Sequence, residues 1–433
     1  MPINEPSAAY KSAATQVARV RDCAAGSDAI KAKGDTYLPK LDAQTEQQYN
    51  AYKARGYYLP VVAPSVKALT GAIMRKPLTN DKSDTLEVDF NGLTDDEVAT
   101  LACAELFVAG RGGYLVEVDK AKFYSRESII NEGENFIALL QQYKVASDDP
   151  YTPVFRDEIL ELTIIDGIYT QRIWRQIGKS KKFQVTNVIV PNRRGEPLDF
   201  IPFVLFNTFT ASDKLTPPAL LEMSDISLDH YRLATDLRHG LHFTALPTMF
   251  VFGDMRDDKG NPIQLKVGPG SANHITDTTG RAELLEFTGA GLGSIRETIS
   301  DDLKEIAAVG ARMFQDNSSG VRAAETARIE QSGESATLAT IANSVGKALT
   351  QVYNHAAWWA GDESDPVTVT LNTDFLSTNL SAQDITALMG AYIQGGLSLD
   401  DFLWNMKQGE RLMPGVSLED TKAKIQGGEL DLG

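Results

Sequence analysis

The chain has 433 residues, 42% of them hydrophobic, with 58 acidic against 42 basic side chains and a formal net charge of -16. It can bury a substantial core and is expected to fold as more than one unit, while its charge repels phosphate at long range and excludes a tight, sequence-reading nucleic-acid binder. No apolar run approaches the roughly 20 residues of a membrane span, and the opening MPINEPSAAYKSAATQ lacks a basic flank with an apolar block, which points to a water-soluble protein made in the cytoplasm. Cys23 and Cys103 fit no metal or redox spacing and read as buried or idle thiols.

In chain order, the first clear unit is LTDDEVATLACAELFVAGRGGYLVEVD. Thr94 and Glu97 form a capping box, apolar residues follow at helical spacing, Gly110 supplies the stop, and Tyr114 to Val118 alternate as a strand. The stretch INEGENFIALLQQYKVASDDPYTP reads as irregular and acidic. Between about 157 and 208, EILELTII, IYTQRIWRQI, FQVTNVIV and IPFVLFNT are rich in β-branched and aromatic residues and predict one antiparallel meander.

Pro217 and Pro218 then introduce a helix from about Ala219 to Thr244, with Ile226, Leu233, Leu237 and Leu241 on one stripe. A second β region follows in PTMFVFGD, IQLKVG and AELLEF. The next helix opens on a capping box of Ser294 and Glu297, with Ile295, Ile299, Leu303, Ile306 and Met313 at stacking steps. The soft polar stretch NSSGVRAAETA separates it from the longest periodic segment, Ala323 to about Ala360, where Leu338, Ile341, Val345, Ala348, Val352 and Trp359 recur at steps of three and four. At 1.5 Å per residue that helix is roughly 55 Å long, and Gly333 is where it would bend. The strand VTVTLNTDF and two short helices close the chain.

Signatures of catalysis are missing. GxxxxGK[ST], GxSxG, HExxH and CxxC do not occur. TGAGLGS places Gly289, Gly291 and Ser294 near a dinucleotide fingerprint, but its third position is Ser and no parallel strand follows to complete a βαβ unit. His239 and His242, three apart on a helix, have no further ligand nearby and read as a packed or solvated pair. The cationic RIWRQIGKSKK with Arg193 and Arg194 reads as a solvated hairpin end. What stands out is acid on helices: Glu297, Asp301 and Glu305 at i, i+4 and i+8, and Asp225, Asp229 and Asp236 within about 40° of one another in projection.

Taken in order, these parts resemble the portal proteins of tailed bacteriophages, from about Tyr37 to Lys424. The likeness is carried by YYLPVVAPSVKALTGAIMRKP, AGRGGYLVEVD, IPFVLFNT leading into the Leu220 to Leu241 helix, and EFTGAGLGSIRETISDDLKEIAAVGARMF. AAETARIEQSGESATLATIANSVGKALTQVYNHAAWWAG with LNTDF completes it. The resemblance implies an α+β, portal-like fold. An α/β wing would occupy 1–218, a first stem helix 219–243, a β clip 244–290, a second stem helix 291–316 and a tunnel loop 317–322. A long bent helix and wing strand would follow over 323–376, and a helical crown over 377–433.

The resemblance further implies a virion protein of the capsid's portal vertex, not an enzyme, with no metal, cofactor or membrane. It would form a ring, usually of twelve subunits, through which double-stranded DNA is packaged and ejected. Its partners would be the major capsid protein, a terminase, and a tail or adaptor protein. Asn317, Ser318, Ser319, Gly320, Val321 and Arg322 would be the loop that grazes the duplex. Asp225, Asp229, Asp236, Glu297, Asp301 and Glu305 would line the channel or meet a neighbouring subunit, a mostly acidic wall keeping contacts with DNA few and exchangeable. The alternatives are another virion ring component, such as an adaptor or capsid protein, and an enzyme that binds a nucleotide cofactor through residues 288–294.

Overall fold

A computed structural model of the chain describes residues 2–81, 88–118, 120–145, 151–178, 182–208, 216–245, 248–252, 281–285, 291–312, 324–362, 366–373, 375, 382–393, 396–408, 419 and 421–422. The fold is α+β, with helices around several antiparallel sheets. Four helices come first: α1 (Ala8–Ala25), α2 (Ser27–Ala32), α3 (Glu46–Arg55) and α4 (Val62–Ile73). Thr45 and Gln48 cap α3 reciprocally, and α1 starts on Ser7, whose hydroxyl accepts the Tyr10 N–H.

The short strand β1 (Thr79–Asn80) leads to α5 (Asp95–Ala109), which begins on the Thr94–Glu97 capping box and ends at Gly110 in the left-handed region, as its residues dictate. This turn sends β2 (Arg111–Glu117) back beside its helix, and β3 (Lys120–Ser125) pairs with it. A stretch expected to be irregular is instead a hairpin, β4 (Ile129–Gly133) and β5 (Phe136–Val145), because Ala138 and Leu139 are wholly buried while exposed Glu134 and Asn135 make the turn. It opens a five-stranded antiparallel sheet continued by β6 (Val154–Ile165), β7 (Ile168–Gln176) and β8 (Phe183–Ile189), in the order β4-β5-β6-β7-β8.

The expected meander ends there. After the small hairpin β9 (Asn192–Arg193) and β10 (Glu196–Pro197), IPFVLFNT forms β11 (Phe203–Asn207), which leaves that sheet and pairs with β2 instead. Its buried Phe203, Val204 and Phe206 find their apolar cover there. The chain continues through α6 (Leu221–Ala245), β12 (Thr248–Phe252), β13 (Arg281–Leu285), α7 (Leu292–Arg312) and the 37-residue α8 (Ala324–Ala360). The late strand shrinks to β14 (Val369–Thr370), paired with β1, before α9 (Ala382–Ile393) and α10 (Leu399–Gln408). IQLKVG lies outside the described residues.

The main core lies where α1, α4, α5, α6 and α8 meet β2 and β11. From Leu338 onward α8 buries its apolar stripe, Leu338, Ile341, Val345, Ala348 and Val352, in this core. A second apolar cluster, with Leu139, Leu162 and Tyr169, joins the five-stranded sheet to β2 and β11. Both cysteines are free and buried; burial pushes the Cys23 thiol up to about 11 and that of Cys103 to about 12, so neither is a reactive thiolate at neutral pH. Among the described residues no helix is long and apolar enough to cross a membrane.

Candidate channel wall on the α6–α7 helix pair

α6 is held between two partners, with α1 and α3 on one side and α7 on the other. Three meetings set the register of α6 against α7. Met223 Cε lies 3.6 Å from where a Cβ on Gly310 would stand, His230 is within electrostatic reach of Asp302, and Leu292 Cδ2 lies 2.7 Å from the corresponding point on Gly240. The strands continue the same register, from Thr248 opposite Leu285 to Phe252 opposite Arg281. Each step down the first arm is matched by a step up the second, so α6 with β12 and β13 with α7 make one antiparallel hairpin. The missing side chain at Gly240 lets the helices close on each other just before they hand over to strands.

This register decides where the acids go. At about 100° per residue, Asp225, Asp229 and Asp236 share one flank of α6, and because α7 runs the other way, its Asp301 and Glu305 fall on the same side of the pair. Glu297 lies further round, toward the back of α7. The closeness of the two helices is felt in Asp302, whose carboxyl is pushed up, first by burial and then by the negative charges of Asp229, Glu305 and Asp301, against the pull of His230. His230 is itself buried and pushed down by that burial.

The acids on α6 are not bare. Asp225 takes an ion pair from Arg19 on α1, Asp229 pairs with Arg232 one turn on, and Asp236 accepts the Tyr52 hydroxyl from α3. On α7, Asp301 pairs with Lys304 at 2.8 Å, while Glu297 and Glu305 stand exposed. The result is an acidic face moderated by single cations. Sequence periodicity missed Asp302 by putting Leu303 in the α7 stripe; Leu303 is 41% exposed and the half-buried Asp302 faces α6 in its place. Ser294 is likewise not the cap of α7, which starts two residues earlier; Ile295 already donates to the carbonyl of Gly291. Nothing local to α6 signals Arg19 or Tyr52, which come from far away in the chain.

The last turns of α6 differ in character. Arg55 donates to His242 Nε2 at 2.8 Å, with that ring nitrogen as the acceptor. His239 packs edge-on to Tyr52, with ring centroids 5.0 Å apart, and burial, Arg55 and His242 push its proton affinity down. Arg238 stacks 4.4 Å from the Tyr57 ring centre and Lys53 lies 5.5 Å from that of Tyr49. The two histidines thus pack against protein, and among the described residues no group of three His, Cys, Asp or Glu could hold a metal ion.

The remaining sequence candidates separate. In the meander, Arg172 pairs with Glu161 and Arg175 with Glu158, while Arg193 stacks 4.4 Å from the Trp358 ring centre. The strand before TGAGLGS is β13, whose described neighbour β12 is antiparallel, so the glycine run does not sit in a βαβ unit of described strands. Gly289 and the whole of Asn317, Ser318, Ser319, Gly320, Val321 and Arg322 lie outside the described residues.

Comparison with known proteins gives three findings. A family described as "Domain of unknown function (DUF4055)" matches residues 219–360, from the approach to α6 to the end of α8. No curated protein matches the chain. Among solved structures, a chain from "Virion of native gene transfer agent (GTA) particle" is 12% identical, with 92% of this chain and 98% of that one covered and a TM-score of 0.38. A chain from "Neck of native GTA particle computed with C12 symmetry" is 12% identical, with 88% and 99% covered and a TM-score of 0.40. At that level of likeness neither shows a shared fold. The chain is similar to the DUF4055 family over the third of its length that builds the α6–α7 hairpin and the long α8.

Proposed function

We propose that this protein is a phage-type virion component, a portal subunit, that assembles into a closed ring whose channel passes double-stranded DNA during packaging and ejection. It acts as a conduit and docking platform, not as an enzyme. The reading is supported above all by one observation: the two long arms of the α6–α7 hairpin carry Asp225, Asp229, Asp236, Asp301 and Glu305 on a single face. A wall of that sign neutralises few phosphates, and since each neutralised phosphate adds affinity by counterion release, the duplex slides past instead of being held. Cyclic symmetry repeats each modest subunit contact around the ring and so stabilises it. In this reading α6 and α7 are the stem, the β12–β13 end is the clip, and residues 317–322 form the loop that reaches the duplex.

The deciding experiment is the mass and outline of the purified full chain, by light scattering and electron microscopy. The expected particle is a ring with a bore wide enough for B-form DNA. A monomer under all conditions, or a ring too narrow for the duplex, sinks the reading. A ring that retains DNA equally well after deletion of 317–322 removes the loop assignment.

A further inference from the structure

The same register that gathers the acids gathers cations on the opposite side. Projected from the contact between Gly240 and Leu292, Arg238 on α6 and Arg296 on α7 stand at neighbouring heights on the side away from Asp229 and Glu305, and both are exposed. Arg55, in the last turn of α3, reaches this end of the pair through its bond to His242 in the last turns of α6. Tyr57 adds an aromatic ring 41% exposed, with the Arg238 guanidinium held over it. The nearest acid on α6, Asp236, is turned to the other flank, where it takes the Tyr52 hydroxyl. The helix pair is two-faced.

We infer that this basic and aromatic face, formed by Arg55, Arg238 and Arg296 around Tyr57, is a docking surface for an acidic segment of a partner protein. Arginine forks bind carboxylates in two-pronged fashion, and stacking on Tyr57 holds one fork ready. The net charge of -16 selects the kind of partner. A nucleic-acid duplex would extend well beyond the patch over surface that repels it, whereas a short acidic peptide meets only charges within a screening length of about 10 Å. The inference rests on the two-sidedness of the hairpin and is independent of the ring.

The test uses the full chain and a fluorescent polyglutamate peptide of about ten residues, read by anisotropy; a peptide of that length spans the patch and little more. Saturable binding is expected, weakened at least tenfold when Arg238→Glu and Arg296→Glu are combined, weakened by added salt, and unchanged by Glu305→Gln on the acidic face. Both arginines are exposed, so the variant keeps its fold, which circular dichroism verifies. No binding by the parent protein, or equal binding by the variant, overturns the inference. So does a DNA duplex of equal charge that binds more tightly than the peptide through the same two arginines. Particle mass measured on the same samples separates the two readings: a ring that ignores polyglutamate removes only the docking surface, and a monomer that binds it removes only the portal reading.

Discussion

The ring of Phe206 lies across Gly112 from the neighbouring strand, its Cζ 2.6 Å from where a Cβ on that glycine would stand. The aromatic side chain occupies the space a second side chain would need, and stacks on Tyr114 with ring centres 5.5 Å apart. Gly112→Ala is therefore expected to lower stability by about 1–3 kcal/mol, the usual range for overpacking a core. Urea unfolding of the two proteins checks it. An unchanged midpoint would mean that Phe206 moves aside freely.

Glu105 sits almost fully buried at the end of α5, 2.7 Å from Arg21 of α1, and also accepts the Arg126 backbone N–H at 2.9 Å. Burial pushes its carboxyl up, and Arg21 pulls it back. Glu105→Ala leaves Arg21 with Glu127 alone, at 2.8 Å. The expected loss is about 2–3 kcal/mol, below the roughly 3–5 kcal/mol for a wholly buried pair because Arg21 is about one-third exposed and keeps one partner. Denaturant titration decides; a loss under about 1 kcal/mol would show that water replaces the carboxylate.

Three histidines tie stability to pH with one sign. Burial pushes His230, His239 and His355 below their ordinary value, so the folded chain binds fewer protons than the unfolded one as pH falls through about 6.5. Stability should fall between pH 7.5 and 5.5. His355→Phe keeps the stack on Phe200, 5.4 Å away, and should flatten the slope, while Asp302→Asn should steepen it by removing the carboxylate that favours a charged His230. Melting curves across this range, identical for all three proteins, would refute the assignment.

The acidic face predicts a gain of grip on reversal. Asp229→Lys, Asp301→Lys and Glu305→Lys together should tighten binding of duplex DNA by the assembled protein. Each new phosphate contact should steepen the dependence of log affinity on log salt by about 0.9. Filter binding at several salt concentrations measures both. An unchanged salt slope would place these residues away from the duplex.

Local order was legible in the residues themselves. The Thr94–Glu97 box, the left-handed Gly110, the proline-led α6 and the apolar steps of α8 needed only neighbours within a turn or two, where backbone sterics and side-chain spacing decide. The acidic rows were legible too, each on its own helix. That Asp225, Asp229 and Asp236 share one side with Asp301 and Glu305, and Glu297 does not, followed only from the antiparallel contact of α6 with α7, because a helix fixes the angles between its own residues but not which of its flanks meets another helix. The same limit hid Arg19 opposite Asp225 and Tyr52 opposite Asp236, and sent Phe203 to Asn207 to β2 instead of the meander. Strand partners and polar pairs far apart in the sequence are chosen by which surfaces exclude water together, and that choice belongs to the folded chain as a whole.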